Sequence, residues 1–253
     1  MIYEEIRKFI EKFKSITELK YIKGINNSTN AIGLTFEKIL GKEADSAFFP
    51  DYHGIEIKCT GRFSRYPISL FSKSFDGPTF PEIERIIDKY GYYDHNFKNR
   101  KVFYATLDCK NIKKVNNKEF KFEVESKENK LYLCVYENKK MIEKKSYVYL
   151  DEIYKRLKLK INILALVHAS IKRENNYQSF RYYRIDIYKL KEEEDFINAL
   201  KKGYIKIDIS ARIAKSGAQV GKYKNKNLVF KIEKEYINEL FEKKYYYDKD
   251  ENR

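Results

Sequence analysis

The sequence predicts a mixed α/β fold with a substantial antiparallel sheet, and three observations predict it. Segments with apolar residues every three to four positions are interspersed with segments of period two. The period-two segments crowd the middle of the chain, where they resemble an antiparallel meander. The four prolines, Pro50, Pro67, Pro78 and Pro81, lie close together, and no repeat, low-complexity tract or Pro/Gly/Ser linker breaks the rest. The simplest organisation is one domain over residues 1–253, with two lobes: an N-terminal lobe over about 1–110 and a remainder that holds a loop region at about 203–232.

Each element has its own signal. "MIYEEIRKFIEKFKSI" places Ile2, Ile6, Phe9, Ile10 and Phe13 at helical spacing. Charges interrupt it where a signal peptide needs an unbroken apolar core, so it reads as an amphipathic helix of a cytoplasmic protein. "KGINNSTN" follows, with Ser28, Thr29 and Asn30 as N-cap candidates for a helix in "AIGLTFEKILGKEA", whose Ile32, Phe36, Ile39 and Leu40 share a face. Pro50 halts any helix. "HGIEIKCT" then alternates, with Ile55, Ile57 and Cys59 on one face of a strand and Glu56 and Lys58 on the other. Strand-like runs continue through "PISLFSKSF", "KVFYATLDC", "FKFEVES", "KLYLCVYEN" and "SYVYL". A helix near Asp151 to Leu159, the apolar "INILALVHASI", a strand "FRYYRIDIYKL" and a helix "EEEDFINALKKG" come next. The chain ends with a strand "YIKIDISARI", a basic polar loop, a strand "NLVFKI" and an amphipathic helix expected from about Glu233.

Composition narrows the function. The 253 residues carry 52 Lys+Arg against 37 Asp+Glu, a formal net charge of +15. AT-rich codons account for part of the lysine but would raise glutamate similarly, so the cationic excess points to a polyanion, nucleic acid first. No apolar run approaches the roughly 18 residues of a membrane span. Cys59, Cys109 and Cys134 lie far apart without a CxxC pair, which argues against a disulfide framework or a zinc site. Aromatic runs such as "RYYRIDIY" sit at strand spacing and read as packing before base stacking. His95 and His168 show no partner in the sequence.

The chemically informative segment is "FFPDYHGIEIKCTG". Asp51 stands just before the strand, and Glu56 and Lys58 project from one face of it, a D-x4-E-x-K arrangement. Phosphodiester hydrolysis needs a hard cation to neutralise the phosphate and acidify a water, and two neighbouring carboxylates can hold Mg²⁺ with positions left for both. A lysine beside them can orient or deprotonate the water and stabilise developing charge. The bland alternative is a solvated ion pair on an exposed strand. Against it stand the Pro50-Asp51 pair, the apolar backing of Ile55 and Ile57, and Glu37, which sits between Phe36 and Ile39 on the preceding helix.

"GLTFEKILG", then "PDYHGIEIKCT", then "ISLFSKS" resembles the start of the MvaI/BcnI family of type II restriction endonucleases, relatives of the mismatch-repair nickase MutH. The match covers about Thr29 to Ser74, with a looser one at "KKGYIKIDISARIAKSGAQVGKYKNKNLVFKI". The resemblance implies a PD-(D/E)xK core, a mixed sheet flanked by helices, in two lobes around a DNA cleft. It makes Asp51 and Glu56 metal ligands, Lys58 the catalytic lysine and Glu37 an auxiliary acid. His53 falls where similar members also place a histidine, with catalytic, recognition and structural roles all open. Lys73 occupies a position suited to a backbone phosphate contact, the other reading being an exposed strand lysine. The C-terminal loop resembles a DNA-reading region with Asp208, Arg212, Lys215, Gln219 and Lys222, residue types that read base edges or hold phosphates. Gly217 and Gly221 make it pliable. Asp208 has two readings, an acceptor for cytosine N4 or a brace for Arg212. The loop departs from the family's pattern: the histidines expected there are absent and Arg212 is displaced by about two positions.

The expected protein is therefore a Mg²⁺-dependent type II restriction endonuclease acting on double-stranded DNA. The resemblance implies a monomer, one that nicks the two strands in turn, with no membrane association and a cognate DNA methyltransferase as genetic partner. The rivals are a MutH-like repair nickase and a non-catalytic DNA-binding protein.

Overall fold

The computed structural model describes residues 2–41, 49–174 and 176–251. The chain forms two compact units, one of Met1–Tyr66, Lys158–Lys191 and Phe241–Arg253, the other of Pro67–Leu157 and Glu192–Leu240. The polypeptide thus leaves the first unit at Tyr66, well before the lobe boundary expected near residue 110, and returns to it twice.

The first unit is built on a five-stranded sheet. The long hairpin of Ile163–Glu174 and Tyr177–Leu190 is its centre. Ile55–Gly61 pairs parallel with the first of these strands and forms one edge. Ile22–Lys23 and Phe241–Asp248 both pair antiparallel with the second. One face carries Ile57, Ala165, Ile187 and Tyr245 in one row and Cys59, Val167, Ile185 and Tyr247 in the next. That face packs on the helices Ile2–Thr17 and Ala31–Ile39 through Phe9, Phe13 and Phe36. Phe36 meets Tyr182 with ring centroids 4.9 Å apart, and the Tyr182 hydroxyl donates to the Ile32 carbonyl at 2.7 Å. The buried phenol thereby keeps its polar end satisfied, as a tyrosine in a core must.

Asn30 occupies the N-cap of the second helix as its sequence position suggests, but its side chain does not cap it. It accepts instead from the Ser28 hydroxyl at 2.5 Å. That helix ends at Ile39, with Gly41 left-handed at φ 77° beyond it; Lys42 to Ala44, which the sequence placed in the helix, lie outside the described residues.

The second unit holds two sheets. One runs Ile68–Lys73, Leu228–Ile232, Ile205–Ile213, Phe97–Leu107, Tyr92–Asp94, all antiparallel. The other is the meander expected from the middle of the sequence: Lys113–Val115, Lys118–Glu125, Lys130–Glu137 and Lys140–Tyr149. The helix Glu82–Tyr90 was not expected. Its buried Ile83, Ile86, Ile87 and Tyr90 follow an i, i+3, i+4, i+7 pattern that the neighbouring prolines obscured.

The C-terminal helix expected from Glu233 is corrected. Only Ile237–Leu240 is α-helical, and Phe241–Asp248 is a strand. Its three consecutive tyrosines favour extended backbone, and the open edge of Tyr177–Leu190 gives them a ladder to complete. Among the described residues no helix is long and apolar enough to cross a membrane.

Candidate active site

A tight turn sets the site. Tyr52 and Ile55 exchange backbone hydrogen bonds, Tyr52 N to Ile55 O at 2.9 Å and Ile55 N to Tyr52 O at 2.7 Å. The two residues between them, His53 and Gly54, are both left-handed at φ 42° and 87°, the geometry of a hairpin turn that favours Gly at its second centre. Phe9 holds the turn from below through the Tyr52 ring, 5.2 Å away. The turn returns the chain so that Asp51 lies alongside the edge strand, where its Oδ2 accepts the Ile57 N–H at 2.9 Å. A carboxylate thus satisfies a backbone donor of the sheet's edge strand and is fixed by doing so.

Glu56 projects from the same strand and is only 1% exposed. The Lys58 ammonium donates to its Oε1 at 2.5 Å. Its Oε2 has no partner of good hydrogen-bond geometry, although the Lys160 ammonium lies 3.1 Å away as an ionic contact. Burial pushes the Glu56 carboxyl above its ordinary range, Lys58 pulls it back, Asp51 raises it again and Lys160 lowers it. The charges of Glu37, Lys58 and Asp51 all act on the Cys59 thiol, which burial drives far upward. Asp51 and Lys58 thus act on the Glu56 charge, whereas Glu37 acts on Cys59, which packs against the apolar core.

Lys160 has no sequence signal of its own. It sits in the last turn of Leu150–Ile161, and only the parallel pairing of Ile55 with Ile163 brings that helix end beside Glu56. The polar face of the sheet continues past Lys58 into a row of Thr60, His168, Arg184 and Asp248. His168 Nε2 is 2.8 Å from Asp186 Oδ2, and Asp186 also pairs with Arg184 and Lys243 at 3.0 Å. Burial opposes ionisation of Asp186, but His168, Arg184 and Lys243 outweigh it and hold the carboxyl well below the usual range. The partner that His168 lacked in sequence is thus supplied by the register of the hairpin.

His53 is exposed, packs edge-on against Tyr52 and lies 4.0 Å from Glu5. The remaining selected residues belong to the second unit. Lys73 is half-buried and bonds Asp76 at 2.6 Å. Asp208 pairs with Lys231 across the sheet. Arg212, next to last in its strand, is exposed and pairs with Val102 and Lys224. Lys215, Gln219 and Lys222 are exposed on a hairpin loop that Ala214 closes, donating to Lys222 O at 2.9 Å and accepting from Gly221 N at 2.8 Å. Gly217 and Gly221 are left-handed at φ 76° and 79°, so here they shape the turn. Tyr223 donates to Asp88 at 2.7 Å and Lys226 to Glu84 at 2.5 Å, tying the hairpin base to the helix Glu82–Tyr90.

Two carboxylates, one buried with an oxygen short of hydrogen bonds and the other anchored at a sheet edge, form a hard-oxygen donor set. Among the described residues no group of three or more His, Cys, Asp or Glu makes a closed metal cage. An open two-carboxylate site is the kind Mg²⁺ uses while keeping several waters.

The chain is similar to two solved structures over 95% of its length. One is described as a restriction endonuclease MvaI–cognate DNA substrate complex, at TM-score 0.85, 24% identity and 98% coverage of that chain. The other is restriction endonuclease MvaI in the absence of DNA, at TM-score 0.63, 24% identity and 97% coverage. The fold is thus of the PD-(D/E)xK restriction-endonuclease type. Among curated proteins none matches. The family model of the MvaI/BcnI restriction endonucleases matches residues 10–241, nearly the whole chain, and the protein belongs to that family.

Proposed function

We propose that this chain is a Mg²⁺-dependent type II restriction endonuclease that cleaves double-stranded DNA at a specific sequence, working as a monomer that nicks one strand and then the other. The carrying observation is the convergence of Asp51, Glu56 and Lys58 at the free edge of one strand, with burial opposing the Glu56 charge. A poorly solvated carboxylate is stabilised by any cation it gains, so the donor set fits a divalent metal. The cognate DNA substrate complex of the similar enzyme MvaI supports DNA as substrate. Cytoplasmic action beside a protecting DNA methyltransferase belongs to the same reading.

In this mechanism Asp51 and Glu56 would hold the metal, which would supply charge neutralisation at the scissile phosphate and a lowered pKa for the attacking water. The Ile57 N–H keeps Asp51 in place, so its carboxylate is oriented in advance. Lys58 spends one N–H on Glu56 and retains two. These can hold the attacking water in line and stabilise charge on the phosphate. The first unit cuts, and the hairpin carrying Arg212 and Gln219 in the second reads base edges. Glu37 is an auxiliary acid, and Lys73 is a backbone-phosphate contact once it exchanges Asp76 for phosphate.

Purified protein incubated with plasmid and Mg²⁺ tests the reading. Discrete fragments with one common end sequence are expected, from wild type alone and not from Asp51→Ala. Cleavage that needs an added activator protein would favour a repair nickase, and binding with no cleavage a non-catalytic role.

A further inference from the structure

We propose that Lys160 is a positioning residue of the nuclease site, clasping the two segments that carry the metal-binding carboxylates; this rests on the function just proposed. Lys160 is 6% exposed, at the C-terminal end of Leu150–Ile161. Its ammonium makes two contacts across the site: 3.2 Å to the Phe49 carbonyl, two residues before Asp51, and 3.1 Å to Glu56 Oε2. One cation therefore ties the segment leading into Asp51 to the strand bearing Glu56.

Burying an ammonium is costly unless its charge and donors are engaged, so the side chain has few alternatives to this position. Lys58 occupies Glu56 Oε1 and Lys160 the Oε2 side, which fixes the carboxylate plane between two lysines. Lys58 is the more exposed of the two and remains accessible to a phosphate or water; Lys160 is not. Their roles therefore divide: Lys58 meets substrate, and Lys160 acts through Glu56 and the Phe49 backbone. Groups that orient metal ligands from behind typically contribute 10- to 100-fold in metal affinity or activity.

The sign of the effect separates this role from a plain counter-ion. Removing a nearby positive charge would by itself tighten cation binding, whereas releasing the two segments weakens it. The test is Ca²⁺ titration of the whole chain by calorimetry, together with cleavage rate against Mg²⁺ concentration. Lys160→Met should weaken Ca²⁺ binding by about 10- to 100-fold, leave duplex affinity in the absence of metal unchanged, and recover rate at high Mg²⁺. Lys160→Arg, which keeps charge and donors, should restore part of the affinity. Ca²⁺ binding unchanged or tighter in Lys160→Met overturns the proposal. If Lys160→Met loses its folded circular dichroism, Lys160→Gln carries the same test, and failure of both to fold rejects positioning in favour of a purely structural group. If wild type neither binds Ca²⁺ nor cuts DNA, the nuclease reading fails first. Wild-type cleavage with an indifferent Lys160 defeats this inference alone.

Discussion

Glu56 sits where burial and charge oppose each other, and the chemistry of neighbouring side chains follows from that. Burial raises the Glu56 carboxyl above its ordinary range, and Lys58 and Lys160 work against that rise. Removing the ligand and removing the lysine therefore have different signatures. Asp51→Ala and Glu56→Ala should each lose Ca²⁺ binding and cleavage together. Lys58→Ala should retain Ca²⁺ binding, and Ca²⁺-supported binding of duplex, while losing turnover; calorimetry beside a plasmid assay separates the cases. Full activity in any of the three variants would remove that residue from the mechanism. The placement of Glu56 and Lys58 on one face with Asp51 at its entry was legible in strand periodicity, while their proposed roles came from the family resemblance. Lys160 and the His168–Asp186 pair were not legible, because their partners are fixed by strand pairing between distant segments. The Lys231 partner of Asp208, one strand over, was likewise not legible in sequence.

Among the elements, periodicity carried the helices Ile2–Thr17 and Ala31–Ile39, the strand Ile55–Gly61 and the meander, and it failed where two periods overlapped. The segment after Glu233 has apolar residues close enough together to suit a short helix, but a sheet edge captured its second half. The fold of the first unit should be sensitive to the contact between helix and sheet: Phe36→Ala should destabilise by about 3–5 kcal/mol in denaturant titration. In the second unit the helix Glu82–Tyr90 is joined to the strand Lys140–Tyr149 through Glu143, which receives Arg85, Lys89 and the Tyr90 hydroxyl. Burial raises that carboxyl, but these three donors outweigh it and bring it to about 2. A depressed carboxylate contributes stability above its unfolded value of 4.5 and loses it as pH falls toward 2. The melting-temperature difference between wild type and Glu143→Gln should accordingly be largest near neutral pH and shrink across that window. A constant difference would show that Glu143 acts by packing rather than charge. On the hairpin, Arg212→Ala or Gln219→Ala should alter sequence preference, whereas Lys73→Ala should weaken binding evenly across sequences.

At the scale of the whole molecule the net charge of +15 and the single D-x4-E-x-K constellation bear on how the proposed nuclease would hold and cut a duplex. If about six to ten phosphates are contacted, affinity should fall by on the order of 10³ to 10⁵ between roughly 50 and 200 mM salt. On the proposed reading one constellation hydrolyses one strand per engagement, because the two scissile phosphates of a duplex lie on different strands and a single catalytic edge addresses one of them at a time. A symmetric dimer would bring a second constellation and cut both strands in one encounter. A monomer must nick, release or turn on its site, and nick again. Supercoiled plasmid with a single site should then pass through an open-circular intermediate before linear product accumulates, with a rate proportional to enzyme concentration and no lag. Direct conversion of supercoil to linear, together with a sedimentation mass near twice 30.4 kDa, would exclude the monomer and leave the roles of Asp51, Glu56 and Lys58 intact. Open circle that persists, never becoming linear, would instead assign the chain to strand-specific nicking, because the same edge strand then engages only one orientation of its site.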